Sequence, residues 1–240
     1  MRRVAVIIGA GPGTGAAIAQ RFSATHSILV LSRSLPGSLP KLNLDTPSDR
    51  LLAATSDGSN ESLKKAFELL SAHWPNSTID VGVYNTNFSF SPGPFLERTE
   101  DQLRTNLESG IVSAFNFSQH IIPHFLANEP NETTRARGTL IFTGATMALR
   151  GGAPFSTMAP AMFARRALTQ SLAREFGPKG VHVVHAIIDG KIAPPKDSGR
   201  EMPSEAIDSN DIAQNYLDLV NQRATAWTQE LDIRPSDESW

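Results

Sequence analysis

Cysteine is absent from the 240 residues of this chain. That absence excludes a disulfide framework, a cysteine-based zinc site, an iron–sulfur cluster and a thiol nucleophile. Tyrosine is nearly absent too, with only Tyr84 and Tyr216. No apolar run approaches the roughly 18 residues needed to span a bilayer, so no membrane partner is expected. Charge is sparse at 19% of residues, and 22 Lys plus Arg against 24 Asp plus Glu leave a net charge of -2. A balance so close to zero gives no bulk attraction to nucleic acid or anionic lipid. The opening Met1-Arg2-Arg3 precedes a short apolar stretch, Val4 to Ile8, that runs into glycines and not into a cleavage-like end. It reads as a first strand and not as a secretory signal, so the cytoplasm is the expected compartment.

Apolar residues make up 40% of the chain, enough for a sizeable core at this length. Runs with little polar alternation mark strands covered on both faces: Val4–Ile8, Ile28–Leu31, Leu51–Thr55, Val81–Tyr84, Leu140–Thr143 and Val181–Ile188. Between them lie helical patterns at Thr14–Ser23, Asn60–Ala72, Glu100–Ile122 and Met158–Phe176. Leu103, Leu107, Ile111, Ala114 and Ile121 repeat at helical spacing in the third, as do Ala164, Leu168, Leu172 and Phe176 in the fourth. Such alternation predicts a single α/β domain over residues 1–240, a doubly wound, mostly parallel, Rossmann-like sheet with helices on both faces. Ser34–Arg50 reads as an irregular crossover, and the proline-rich Ala193–Asp208 as a mobile substrate loop.

Gly9-Ala10-Gly11-Pro12-Gly13-Thr14-Gly15 follows the first strand and opens the first helix. Glycines there permit a tight turn and a close backbone approach to a pyrophosphate, which faces the N–H groups of the helix start. The second strand ends in Ser32-Arg33, where dinucleotide folds often place a carboxylate for the ribose hydroxyls. Arg33 pairs better with a 2′-phosphate, which favours NADP(H).

These residues resemble the short-chain dehydrogenase/reductase family over nearly the whole chain. Gly9, Gly13 and Gly15 match its glycine motif, although Ile8 stands where Thr is usual. Asp57 matches its adenine-contacting acid, Asn85 one position of its Asn-Asn-Ala-Gly segment, and Asn106 its active-site Asn. Leu172 to Val181 match the end of its catalytic helix and the next strand. Phe142 to Thr146, Ile188-Asp189-Gly190 and Ala226 to Pro235 resemble an atypical branch. The resemblance implies cofactor contacts at Gly9, Gly13, Thr14, Gly15, Ser32, Arg33, Asp57, Asn85 and Ile192, and a homo-dimer or homo-tetramer.

The family's Ser, Tyr and Lys positions fall at Ala145, Met158 and Met162. None of these side chains carries a proton, and no Tyr-x-x-x-Lys exists anywhere in the chain. General acid catalysis typically contributes about 10²–10⁴-fold, so an ordinary ketone reductase is disfavoured. A pocket lined by Ala145, Met158 and Met162 suits a hydrophobic small molecule. Two chemistries fit: hydride transfer to a pre-activated acceptor such as an iminium or enone, or redox-neutral cyclisation or isomerisation in specialised metabolism. The rival is a non-catalytic binding or regulatory protein. Asp189 and Asn106 are the remaining polar catalytic candidates, and Thr143, Thr146 and Thr157 offer replacement hydroxyls. His120 and His124 share a helix face but lack a third ligand, so no metal is expected. Arg165 and Arg166 are expected to face solvent or a neighbouring subunit.

Overall fold

Alternate residues of the first strand enter different cores. In the computed structural model, which describes residues 1–87, 89–193 and 206–237, β1 (Arg3–Ile8) directs Ala5 and Ile7 to one apolar cluster and Val4, Val6 and Ile8 to the other. Both sets are buried. A two-residue side-chain period with no polar face requires cover on each side.

The cover comes from helices on opposite faces. On one face lie α1 (Thr14–Ser23) and α6 (Ser209–Val220), through Ile18, Phe22, Ile212, Tyr216 and Leu219. On the other lie α2 (Asn60–His73), α4 (Ser113–Ala127) and α5 (Ala159–Phe176), through Leu63, Phe67, Phe117, Ile121, Phe125 and Leu168. Besides β1, the strands of the main sheet are β2 (Ser27–Ser32), β3 (Leu51–Thr55), β4 (Thr78–Tyr84), β5 (Gly138–Ala145), β6 (Val181–Ile188) and β9 (Glu230–Ile233). They form a seven-stranded sheet in the order β3-β2-β1-β4-β5-β6-β9, with every pairing parallel. The expected single-domain, doubly wound α/β architecture is therefore observed. Strand order reverses between β1 and β4, which opens a crevice at the carboxyl ends of the strands.

One expectation needs amendment, and two segments gain detail. Glu100–Ile122 is not one helix: α3 (Glu100–Leu107) and α4 are separated by a wider π turn over Glu108–Val112. Gly110 in that turn allows close packing, since a Cβ there would lie 2.6 Å from the Ala161 Cβ of α5. The Ser34–Arg50 crossover is irregular but contains two short 3-10 turns, Leu39–Leu42 and Ser48–Arg50. Of the expected mobile loop Ala193–Asp208, residues 194–205 lie outside the described residues. Its flanks form a short parallel pair, β7 (Lys191–Ile192) with β8 (Ala206–Ile207), and Asp208 caps α6.

Candidate nucleotide cleft and reaction chamber

A cleft of about 770 Å³ lies along the carboxyl ends of the sheet. Ile8, Ser32, Asn85, Ala145 and Ile188, at or just past the ends of five strands, all border it. One end is built by the loop from β1 to α1. Gly9 has φ +86°, and a Cβ on it would come within 2.4 Å of the Asn85 backbone. A Cβ on Gly15 would lie 2.6 Å from the Gly9 carbonyl oxygen. Gly11 differs, because a Cβ there would meet no atom of the described residues within 4 Å, and Gly11 borders the cleft. The start of α1 has no side-chain cap; the Ala16 N–H donates to the Gly11 carbonyl at 3.0 Å, which leaves the N–H groups of Thr14 and Gly15 to face an anion. A loop packed this tightly from behind and empty in front fits a pyrophosphate.

Beyond this loop, Ser32, Arg33, Ser34, Ser38, Lys41 and Asp57 border the cleft together. The Ser34 and Ser38 hydroxyls are 2.8 Å apart. Hydrogen bonding by Ser59 and Ser62 holds the Asp57 carboxyl down at about 2, so it is an anion at neutral pH. Lys41 escaped sequence reasoning because it lies in the irregular crossover, eight positions past Arg33, with no motif around it.

Asn85 joins the two halves. Its Nδ2 donates to the Gly9 carbonyl at 3.2 Å, and its Oδ1 accepts from the Thr143 hydroxyl at 2.9 Å. The Thr143 and Tyr216 hydroxyls also bond each other at 2.8 Å. Burial pushes the Tyr216 phenol up, so it stays protonated.

Of the proposed cofactor contacts, Gly9, Thr14, Gly15, Ser32, Arg33, Asp57, Asn85 and Ile192 border the cleft. Gly13, at φ +140°, shapes the loop without bordering it. Ala145 and Met162 form part of the wall, whereas Met158 is fully buried away from it. Of the three threonines, only Thr143 reaches the cleft. The Thr146 hydroxyl donates to Asp189, and the Thr157 hydroxyl is buried without a partner among the described residues.

Asp189 and Asn106 are set back. Asp189 is buried beside the chamber, and its carboxylate pairs with Arg234 at 2.7 Å and accepts from Thr146. A carboxylate so engaged serves the turn after β6. Asn106 is fully buried, and neither amide atom has a partner among the described residues. His120 bonds Asn60, and both His120 and His124 stack on Phe67. No group of metal-ligating residues occurs among the described residues.

Arg165 corrects its sequence expectation. It does not face solvent: the residue is 1% exposed and borders the cleft. Its Nε donates to the Gly110 carbonyl at 2.9 Å, Nη1 to Thr143 at 2.7 Å and Nη2 to Thr86 at 3.5 Å. The buried residues of α5 are Ala159, Ala161, Met162, Arg165 and Thr169. This face was missed because Ala164, Leu168 and Leu172, on the neighbouring stripe, look more like a core face. Arg166 points the other way and holds Glu230 through two bonds, of 2.6 and 2.9 Å.

No described helix is long and apolar enough to cross a membrane. The pattern of the short chain dehydrogenase family matches residues 3–196. Over 182 residues the chain is 28% identical to a meso-2,3-butanediol dehydrogenase of Serratia marcescens, covering 75% of this chain and 68% of that one. A short-chain dehydrogenase structure from Rhodopseudomonas palustris superposes with a TM-score of 0.77 at 29% identity, covering 97% of this chain and 98% of that one. An alcohol dehydrogenase from Thermococcus sibiricus, complexed with 5-hydroxy-NADP, shares the fold with a TM-score of 0.81 at 17% identity, covering 100% and 99%. The chain belongs to the short-chain dehydrogenase family of oxidoreductases.

Proposed function

We propose that this protein is an NADP(H)-dependent oxidoreductase of specialised metabolism, acting on hydrophobic small molecules without the family's proton-transfer residues. One observation carries the reading: a single cleft joins a glycine cradle open to an anion with a chamber whose wall includes Ala145 and Met162. The α1 start and Gly11 would receive the pyrophosphate, Arg33 and Lys41 a 2′-phosphate, and Asp57 the adenine amino group. When bound, the dinucleotide supplies or accepts a hydride. Ala145 and Met162 would hold the apolar body of the substrate. The Thr143 hydroxyl, fixed between Asn85 and Tyr216, would orient a polar end.

An unperturbed alcohol is a weak acid, so the acceptor must be activated before it arrives: an iminium or a conjugated enone, not a simple ketone. Exposed Val112, Phe115 and Phe163 on the π turn, α4 and α5 support assembly into homo-dimers or tetramers. The same apolar wall would also suit a nucleotide-binding regulatory protein without turnover.

Two measurements separate these readings. Fluorescence titration should show NADPH binding tighter than NADH. Stopped-flow oxidation of NADPH should then respond to enones or iminium ions and not to simple ketones. NADPH binding with no turnover of any acceptor would favour the regulatory role. Absence of NADPH binding would overturn both.

A further inference from the structure

We propose that the buried guanidinium of Arg165 is an oxyanion-binding site in the reaction chamber, one that selects conjugated carbonyl acceptors over cationic ones. The inference rests on the reading of the cleft as a substrate chamber. Arg165 borders it together with Thr143, Ala145 and Met162. No carboxylate pairs with Arg165 among the described residues; its partners are the carbonyls of Gly110, Thr143 and Thr86 and the ring of Tyr84. A guanidinium has five N–H donors, and three are engaged. The carbonyl dipoles orient the cation without cancelling its charge.

A buried cation without a counter-ion is an expensive arrangement. Neither Tyr216 nor His185 supplies a negative charge to offset it. Tyr216 stays protonated, and burial holds His185 neutral at physiological pH. A ligand oxygen carrying negative charge would complete the site.

This selects among the activated acceptors. An enone that receives hydride at its β-carbon shifts its C=C electron pair toward the carbonyl, and the oxygen becomes an enolate. That charge would form against Arg165, which stabilises it without giving up a proton. The α-carbon then takes a proton from water, leaving a saturated ketone, while the reduced dinucleotide becomes oxidised. An iminium would instead bring positive charge against a buried cation, and the repulsion is strong at low effective dielectric.

The test uses 4-nitrophenol, whose phenolate absorbs visibly and whose oxygen resembles an enolate. Wild-type protein with NADP+ should bind it and lower its pKa by about one to three units, the range expected for an opposite charge at contact. Arg165→Gln should abolish that shift, and Arg165→Lys should retain part of it. N-methylquinolinium, a cation of similar size, should not displace the phenolate. Should Arg165→Gln fail to fold, the wild-type titration and the quinolinium competition decide. Absence of nitrophenol binding, binding with an unchanged pKa, or an undiminished shift in folded Arg165→Gln would overturn the proposal. NADPH fluorescence is read separately, so failure of the dinucleotide reading is distinguishable from failure of the anion site.

Discussion

The guanidinium carbon of Arg165 lies 4.8 Å from the centre of the Tyr84 ring. Tyr84 ends β4, and its hydroxyl donates to the Ser109 carbonyl at 2.6 Å and contacts the Ser113 hydroxyl. One aromatic residue thus supports the cation from below and ties β4 to the π turn. Tyr84→Phe keeps the ring and loses the hydroxyl, and should cost about 1 kcal/mol in urea denaturation. Tyr84→Leu also removes the face under Arg165 and the contacts with Phe117 and Phe142, and should cost about 2–4 kcal/mol. Equal losses in the two variants would show that the ring does not support the cation.

Arg33 and Lys41 border the end of the cleft proposed for the adenosine. Replacing both with Ala should weaken NADPH binding by about tenfold to a hundredfold, as loss of charge-assisted phosphate contacts implies. NADH binding should change little. A parallel loss for both nucleotides would remove the assignment of this pair to a 2′-phosphate.

Gly11 and Gly15 should behave oppositely. Gly11→Ala meets no atom of the described residues within 4 Å, so its thermal unfolding should match the wild type while NADPH affinity falls. Gly15→Ala drives a Cβ into the backbone of Gly9 and Ala10. It should lower stability by about 1–3 kcal/mol. A Gly11→Ala variant with normal NADPH affinity would mean the nucleotide does not cross this loop.

Burial pushes the His185 imidazole down from 6.5 to about 4, opposed by Glu230 and reinforced by Arg165 and Arg166. The unfolded chain therefore binds this proton first as pH falls. The native advantage is complete above pH 6.5 and is lost as pH drops toward 4. Between about pH 7.5 and about pH 4.5 this group should remove about 2–3 kcal/mol of stability. His182, also lowered by burial, adds a loss in the same direction. Denaturation of His185→Gln at both pH values should show a smaller acid loss than the wild type, and identical losses would assign the effect elsewhere.

Much of the cleft was legible because its parts obey local rules. The glycine run before a helix start, the Ser32-Arg33 strand end and the apolar residues at Ala145 and Met162 each depend on neighbours in the chain. Arg165 and Lys41 were not legible in that way. Arg165 sits three residues past Met162, and helical spacing alone left its side open. Its burial depends on a π turn that brings the Gly110 carbonyl within reach, and no periodicity marks that turn.

By itself the sequence determined the parallel sheet, through strand runs without a polar face, and the absence of any Tyr-x-x-x-Lys spacing. Tertiary structure alone decided which polar groups border the cleft beside Ala145 and Met162. A charge is tolerated inside a core only where carbonyls from separate segments converge on it, and the carbonyls of Thr86, Gly110 and Thr143 meet only when the chain is folded.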